Sequence, residues 1–155
     1  MSNTASGSAA SVSGGQNNTA SRECTSVSGG NGNIASAESA SVSGGQNNNA
    51  TGDNATVSGG AGNIANVEFA SVSGGVNNSA NGQFASVSGG GFNTADGNLA
   101  SVSGGFGNTA SGDDSTVSGG GGNAAGGDFT VVIGGVKVTD NNASSIAPQP
   151  LFGWL

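Results

Sequence analysis

One spacing governs this chain: fifteen residues separate each valine of a long series from the next. Val12, Val27, Val42, Val57, Val72, Val87, Val102, Val117 and Val132 form the series. A Gly-Gly pair follows each of them, from Gly14-Gly15 to Gly134-Gly135. Asparagine recurs in the same step from Asn3 to Asn123, and alanine from Ala5 to Ala125. The unit reads A-S-V-S-G-G-x-x-N-x-A-x-G-x-x, with no insertion or deletion over this stretch. Internal periodicity of this kind decides the architecture before any other signal does.

A unit this short excludes helical hairpin repeats, which need more than about 30 residues. With 32 glycines in 155 residues, a long helix is excluded as well, because each glycine costs about 1 kcal/mol against alanine. Collagen requires glycine at every third position, and the chain lacks that pattern. What remains is an all-β, parallel solenoid of about nine coils. Ala10, Ser11, Val12 and Ser13 alternate as a half-buried strand does. Gly14-Gly15 allows a tight turn with positive φ. Asn18, Thr19 and Ala20 begin a second strand. Gly52, Gly82, Gly97, Gly112 and Gly127 mark the second corner, where Arg22, Ala37 and Val67 stand in other coils. Stacked coils would pair in parallel at about 4.8 Å per step, so that equivalent residues line up in columns. The nine valines are then the structural core. The asparagine column has two readings: a ladder of amides bonded above and below, or residues tolerated in a turn.

Such a coil buries about one valine, worth roughly 1.5–3 kcal/mol. Ordering its residues costs on the order of 15–30 kcal/mol in backbone entropy. A core this thin predicts an obligate homo-oligomer. A second apolar surface is present for it in the column Ala9, Cys24, Ser39, Asn54, Phe69, Phe84, Leu99, Asp114 and Phe129, with Phe92 and Phe106 at the turns. These side chains cover coil edges, form an intersubunit seam or make a partner-binding patch. The lone Cys24 forms no intrachain disulfide; it pairs with another chain or stays a free thiol.

The unit S-V-S-G-G-x-x-N-T-A-S-G is similar to the head repeats of trimeric autotransporter adhesins, the YadA-like heads. The family's repeat usually carries V-A-I-G where this chain has V-S-G-G, and isoleucine stands there once, in Val132-Ile133-Gly134. The resemblance covers roughly residues 1–138. It implies a left-handed parallel β-roll, three chains about one axis, and adhesion to a host surface or matrix. Related repeats occur in bacteriophage fibres, so a fold of this kind serves more than one biology. Neck motif, heptad stalk and outer-membrane barrel are not recognisable in the sequence, and no binding residue carries across from the family.

The residue inventory narrows the chemistry. Histidine is absent, and neither Lys137 nor Cys24 has a recognisable activating partner, so no catalytic residue is assigned. Adjacent carboxylates such as Asp113 and Asp114 point to opposite sides of a β coil, against glycosidase chemistry. No cofactor and no metal site is expected. Net charge is −7, with Arg22 and Lys137 the two cations, which argues against nucleic-acid partners and anionic membranes. Glu23, Glu38, Asp53, Glu68, Asp113 and Asp128 share one column. It reads as a solvated corner that keeps the rod soluble, or as a site for cations or a basic partner. The Ser11 and Ser13 columns, with Thr56 and Thr116, form hydroxyl rows that admit an ice-binding reading.

The repeat domain is placed at 1–138 and a C-terminal segment at 139–155. Phe129 to Val138 reads as a last coil passing into a closing strand, and Thr139 to Ser145 as a polar loop. The end of the chain, with Leu151, Phe152, Trp154 and Leu155 as anchors, reads as a cap or a docking peptide. No basic-then-apolar leader precedes the repeat. The function expected is a non-catalytic, homotrimeric fibre or head at the cell surface or in the extracellular space, binding a host surface or matrix molecule. The alternative is a virion fibre or capsid-decoration protein within a larger assembly, and a third class is an ice-binding solenoid.

Overall fold

Each repeat winds into one flattened coil carrying two strands of two residues, as in Thr4–Ala5 and Ser11–Val12. The computed structural model describes residues 2–147. The strands fall into two ten-stranded parallel sheets. One runs from Thr4–Ala5 to Thr139–Asp140, the other from Ser11–Val12 to Ile146–Ala147. Register is constant: Val72 sits between Val57 and Val87, and Ala80 between Ala65 and Ala95. A third line of parallel bridges follows the Gly-Gly corner, from Gln16 with Asn31 to Gly121 with Val136.

Backbone bonds between coils hold the stack. The Ser13 N–H donates to the Val27 carbonyl at 3.0 Å, and the Thr19 N–H to the Asn33 carbonyl at 2.8 Å. At the opposite corner the direction reverses, with the Cys24 N–H donating to the Ser8 carbonyl at 2.8 Å. Parallel strands buried on one face need such a continuous ladder, because an unpaired buried amide costs as much as a lost hydrogen bond.

The interior holds valine, two alanine columns and asparagine. Val27 to Val132 are 0–1% exposed, and the asparagines from Asn18 to Asn123 are equally covered. Side chains of one chain alone therefore close the core. With one valine and two small residues per coil, that core is as small as the sequence implies, and any further burial by association falls on the outward surfaces.

The coils do not end at residue 138. Thr139–Asp140 pairs with Ala124–Ala125, and Ile146–Ala147 pairs with Val131–Val132. The structure thus has about ten coils rather than nine, and the stretch expected as a polar loop is the tenth. Its pairing is made by backbone, which no side-chain motif announces: the Gly126 N–H donates to the Asp140 carbonyl at 2.8 Å, and the Ile133 N–H to the Ala147 carbonyl at 2.8 Å. Asp140 takes the place of the alanine column there. Its carboxylate accepts from the Ser145 hydroxyl at 2.7 Å and from the Asn142 backbone N–H at 3.1 Å. The four expected anchors Leu151, Phe152, Trp154 and Leu155 lie outside the described residues.

Candidate functional site

The two corners of the coil differ in how they turn, and the difference sets what each presents. At the Gly-Gly corner, the second glycine of each pair is left-handed, with φ of +80 to +110° from Gly15 to Gly135. From Gly15 to Gly120, a Cβ there would lie 2.0–2.2 Å from the carbonyl oxygen of the next coil's glycine. The first glycine meets nothing within 4 Å at Gly14, Gly44 or Gly74. Only the second is required by the packing.

The asparagine beside this corner satisfies it. The Asn63 side-chain NH2 donates to the Gly59 carbonyl at 2.8 Å and to the Gly75 carbonyl at 2.9 Å. Its oxygen accepts the Asn78 backbone N–H at 3.0 Å. The same set repeats from Asn18 to Asn123. The expected ladder is therefore real in outline, but it runs from side chain to backbone rather than amide to amide. The residues held in a left-handed turn are the preceding ones, Asn17, Asn47 and Asn77, with φ of 52–56°.

At the other corner the left-handed residue is not the glycine that sequence singled out. It lies two positions later, in the column Ala9, Cys24, Ser39, Asn54, Phe69, Phe84, Leu99, Asp114 and Phe129, all with φ of 54–58°. A bulky side chain in this region is unusual and costs about 1–2 kcal/mol. The cross-coil bond given by its own N–H, such as Phe69 to the Asp53 carbonyl at 2.9 Å, holds it there. Phe69 and Phe84 stack with ring centroids 4.8 Å apart and planes at 4°. Both remain half exposed, as do Leu99 and Phe129.

The acidic column lies one residue before this strip, and every member is exposed. Several of its members have a backbone task. Asp53 accepts the Glu38 N–H at 3.1 Å, Asp113 the Asn98 N–H at 3.0 Å, and Asp128 the Asp113 N–H at 3.0 Å. Glu68 accepts the Gln83 side-chain amide at 2.8 Å. The sequence reading as a solvated corner missed this link between coils. Among the described residues, no group of three His, Cys, Asp or Glu side chains converges as metal ligands would. Cys24 is exposed and unbridged.

A second aromatic group sits across the coil at the Gly-Gly corner. Phe92 and Phe106 lie 5.3 Å apart with rings tilted by 57°, and both are more than half exposed, beside Val76. That corner is otherwise lined by residues such as Gln46, Asn47 and Asn77, carries no carboxylate, and has Lys137 in its last coil. One corner is thus aromatic and acidic, the other aromatic and free of carboxylates. On the face of the second sheet between them, Ser13 to Ser118 form an exposed row and Ser26 to Ser101 a half-buried one, with the Ser86 and Ser101 hydroxyls 3.4 Å apart. No protein-family profile matches the sequence, and no curated protein matches it.

Proposed function

We propose that the chain is a non-catalytic rod, three copies of which assemble into a fibre or head for adhesion or structural display. The observation that carries this reading is the pair of exposed aromatic rows on a stack of constant register. Apolar rows at fixed spacing on a rigid support suit repeated, multivalent contact. The carboxylate-free corner with Val76, Phe92 and Phe106 is the better seam between copies, because chains of net charge −7 meet there without opposing carboxylates. Three-fold symmetry, left-handed winding and an extracellular setting come from the resemblance to YadA-like heads. The absence of histidine removes the commonest general base and supports reading the role as not enzymatic. A virion fibre or decoration would use the same rod, and neighbouring genes for secretion or for virion structure separate the two settings.

Light scattering of the native particle, with and without denaturant, tests the assembly. A mass near 43 kDa, three times 14.4 kDa, is expected, falling towards the monomer in Phe106→Ser. A folded 14.4 kDa particle would remove the trimer.

The hydroxyl rows favour one further reading. Ser11 and Ser13 and their equivalents point to the same side of a parallel sheet, two residues apart along the strand and one coil step apart along the rod. Such a lattice can order water and engage ice. Thermal hysteresis of the wild type, lost when Ser73 and Ser88 become lysine, is the measurement; its absence ends that reading.

A further inference from the structure

We propose that the strip formed by Phe69, Phe84 and Leu99 docks an arginine-bearing segment of a partner protein. The inference deepens the display reading and rests on it for there being a partner to display to.

The strip is built against local preference. The same backbone position accepts Ala9, Ser39 and Asn54 elsewhere in the chain. In three successive coils it instead carries large apolar groups, at φ of +58° in each. Burial within the chain does not offset that cost, since the three side chains are 43%, 49% and 54% exposed. A contact made outside the chain is the natural compensation.

Charge selects the occupant. Carboxylates bracket the strip at both ends. Glu38, Asp53 and Glu68 approach it from the N-terminal side; Asp113, Asp114 and Asp128 approach it from the C-terminal side. Asp96 stands alongside, held by the Asn81 side-chain amide at 2.7 Å. A second copy of this chain would set carboxylate against carboxylate here, and a nucleic acid or anionic membrane would be repelled in the same way. A basic segment meets both features at once. Arginine suits them better than lysine, because its planar guanidinium lies on an aromatic face and also pairs with carboxylate oxygens in a fork. The Phe69 and Phe84 rings, stacked with their planes parallel to within 4°, offer such a surface at their outer faces and edges. The two ends of the strip are about 10 Å apart at the usual coil step, a span that a short extended peptide covers.

The test uses synthetic eight-residue peptides alternating leucine with arginine, lysine or glutamate. Each is titrated by calorimetry into the full chain at low and at moderate salt. The arginine peptide is expected to bind and to weaken at least fivefold on raising the salt. The lysine peptide should bind several-fold less tightly, and the glutamate peptide not at all. Ile64→Ser, on the outward face of the other sheet where Ser79 stands in the next coil, should leave arginine-peptide affinity unchanged, whereas Phe84→Ser should reduce it about tenfold. Serine is tolerated at that backbone position, as Ser39 shows, so loss of binding is not loss of fold; circular dichroism of each variant verifies this. Asp113→Asn combined with Asp128→Asn, which neutralises two of the carboxylates around the strip, should measurably reduce the salt dependence. Equal binding by wild type and Phe84→Ser, equal binding of the arginine and glutamate peptides, or no binding at low salt would each overturn the proposal. The mass of the same samples separates the two claims. A trimer that ignores the peptide sinks the docking strip alone, and a monomer that binds it sinks the trimer alone.

Discussion

Asn63 shows how much one side chain does in this stack. Its oxygen faces an N–H and its nitrogen faces two carbonyls, so the amide orientation is fixed by chemistry. Asn63→Asp keeps the shape and turns a carboxylate oxygen towards the Gly59 and Gly75 carbonyls. The expected loss is about 3–5 kcal/mol, as for an uncompensated buried charge, read from the denaturation midpoint. Ser115 gives the opposite sign. It replaces an alanine of the core column, is fully buried, and its hydroxyl has no hydrogen-bond partner. Thr25 and Thr130 in the same column do better, donating to the Arg22 carbonyl at 2.8 Å and the Asn142 carbonyl at 2.6 Å. Ser115→Ala should therefore stabilise the protein, by about 1 kcal/mol. An unchanged or lower midpoint would show that the hydroxyl is satisfied in solution.

Among the elements, the corners carry information that strands two residues long cannot. The Gly-Gly pair looks symmetrical in sequence and is not so in space. Gly74→Ala places a methyl in open space, whereas Gly75→Ala drives one to 2.2 Å from the Gly90 carbonyl oxygen at φ of +88°. The first variant should lie within about 0.5 kcal/mol of wild type and the second should lose more than about 2 kcal/mol, compared by thermal melts. At the opposite corner Gly52 and Gly82 do mark the turn, and a Cβ on either would run into the next coil's backbone. The sequence does not show which residue of this turn is left-handed, because glycine, the usual one, is not it here. The left-handed residue is Asn54 or Phe84, held by a cross-coil bond that composition does not betray. The tenth coil was hidden in the same way, since backbone pairing continues after the Gly-Gly signal stops. Its signal was one substitution, the alanine column ending in Asp140. Hydrogen bonds from the Ser145 hydroxyl and then the Asn142 N–H hold that carboxyl below its usual range, against the opposing effect of desolvation. A lowered folded value means that the ionised form helps to hold the coil. This contribution is complete above the unfolded value of about 3.9 and is lost as pH falls through the folded one. Amide shifts of Asn142 and Ser145 should thus stay native down to that range and move together below it. In Asp140→Asn the pH dependence should vanish.

For the whole molecule, every coil touches only the coils before and after it, so stability is close to a sum of neighbour terms. The repeat made the two-sheet rod legible in the sequence, because a strict period leaves few ways to close a coil. It could not foretell which surface faces a partner, because the exposed columns vary far more than the buried ones. The neighbour picture has a testable consequence. Val72 is 1% exposed and packed between two equivalent valines, whereas Val12 in the first described coil is only partly buried and has its cross-coil partner on one side, Val27. Val72→Ala should cost on the order of 2 kcal/mol, from lost burial and the small cavity left behind. Val12→Ala should cost less than half of that, since an end coil opens without disturbing the rest. Amide exchange should show the same gradient, with slow exchange at Val72 and Val87 and faster exchange at Ser11 and Val12. Equal costs at the two positions would mean that the N-terminal coil is covered in solution by something that this chain's own neighbouring coil does not supply. The end of the rod would then be a contact surface in the assembly rather than a free edge.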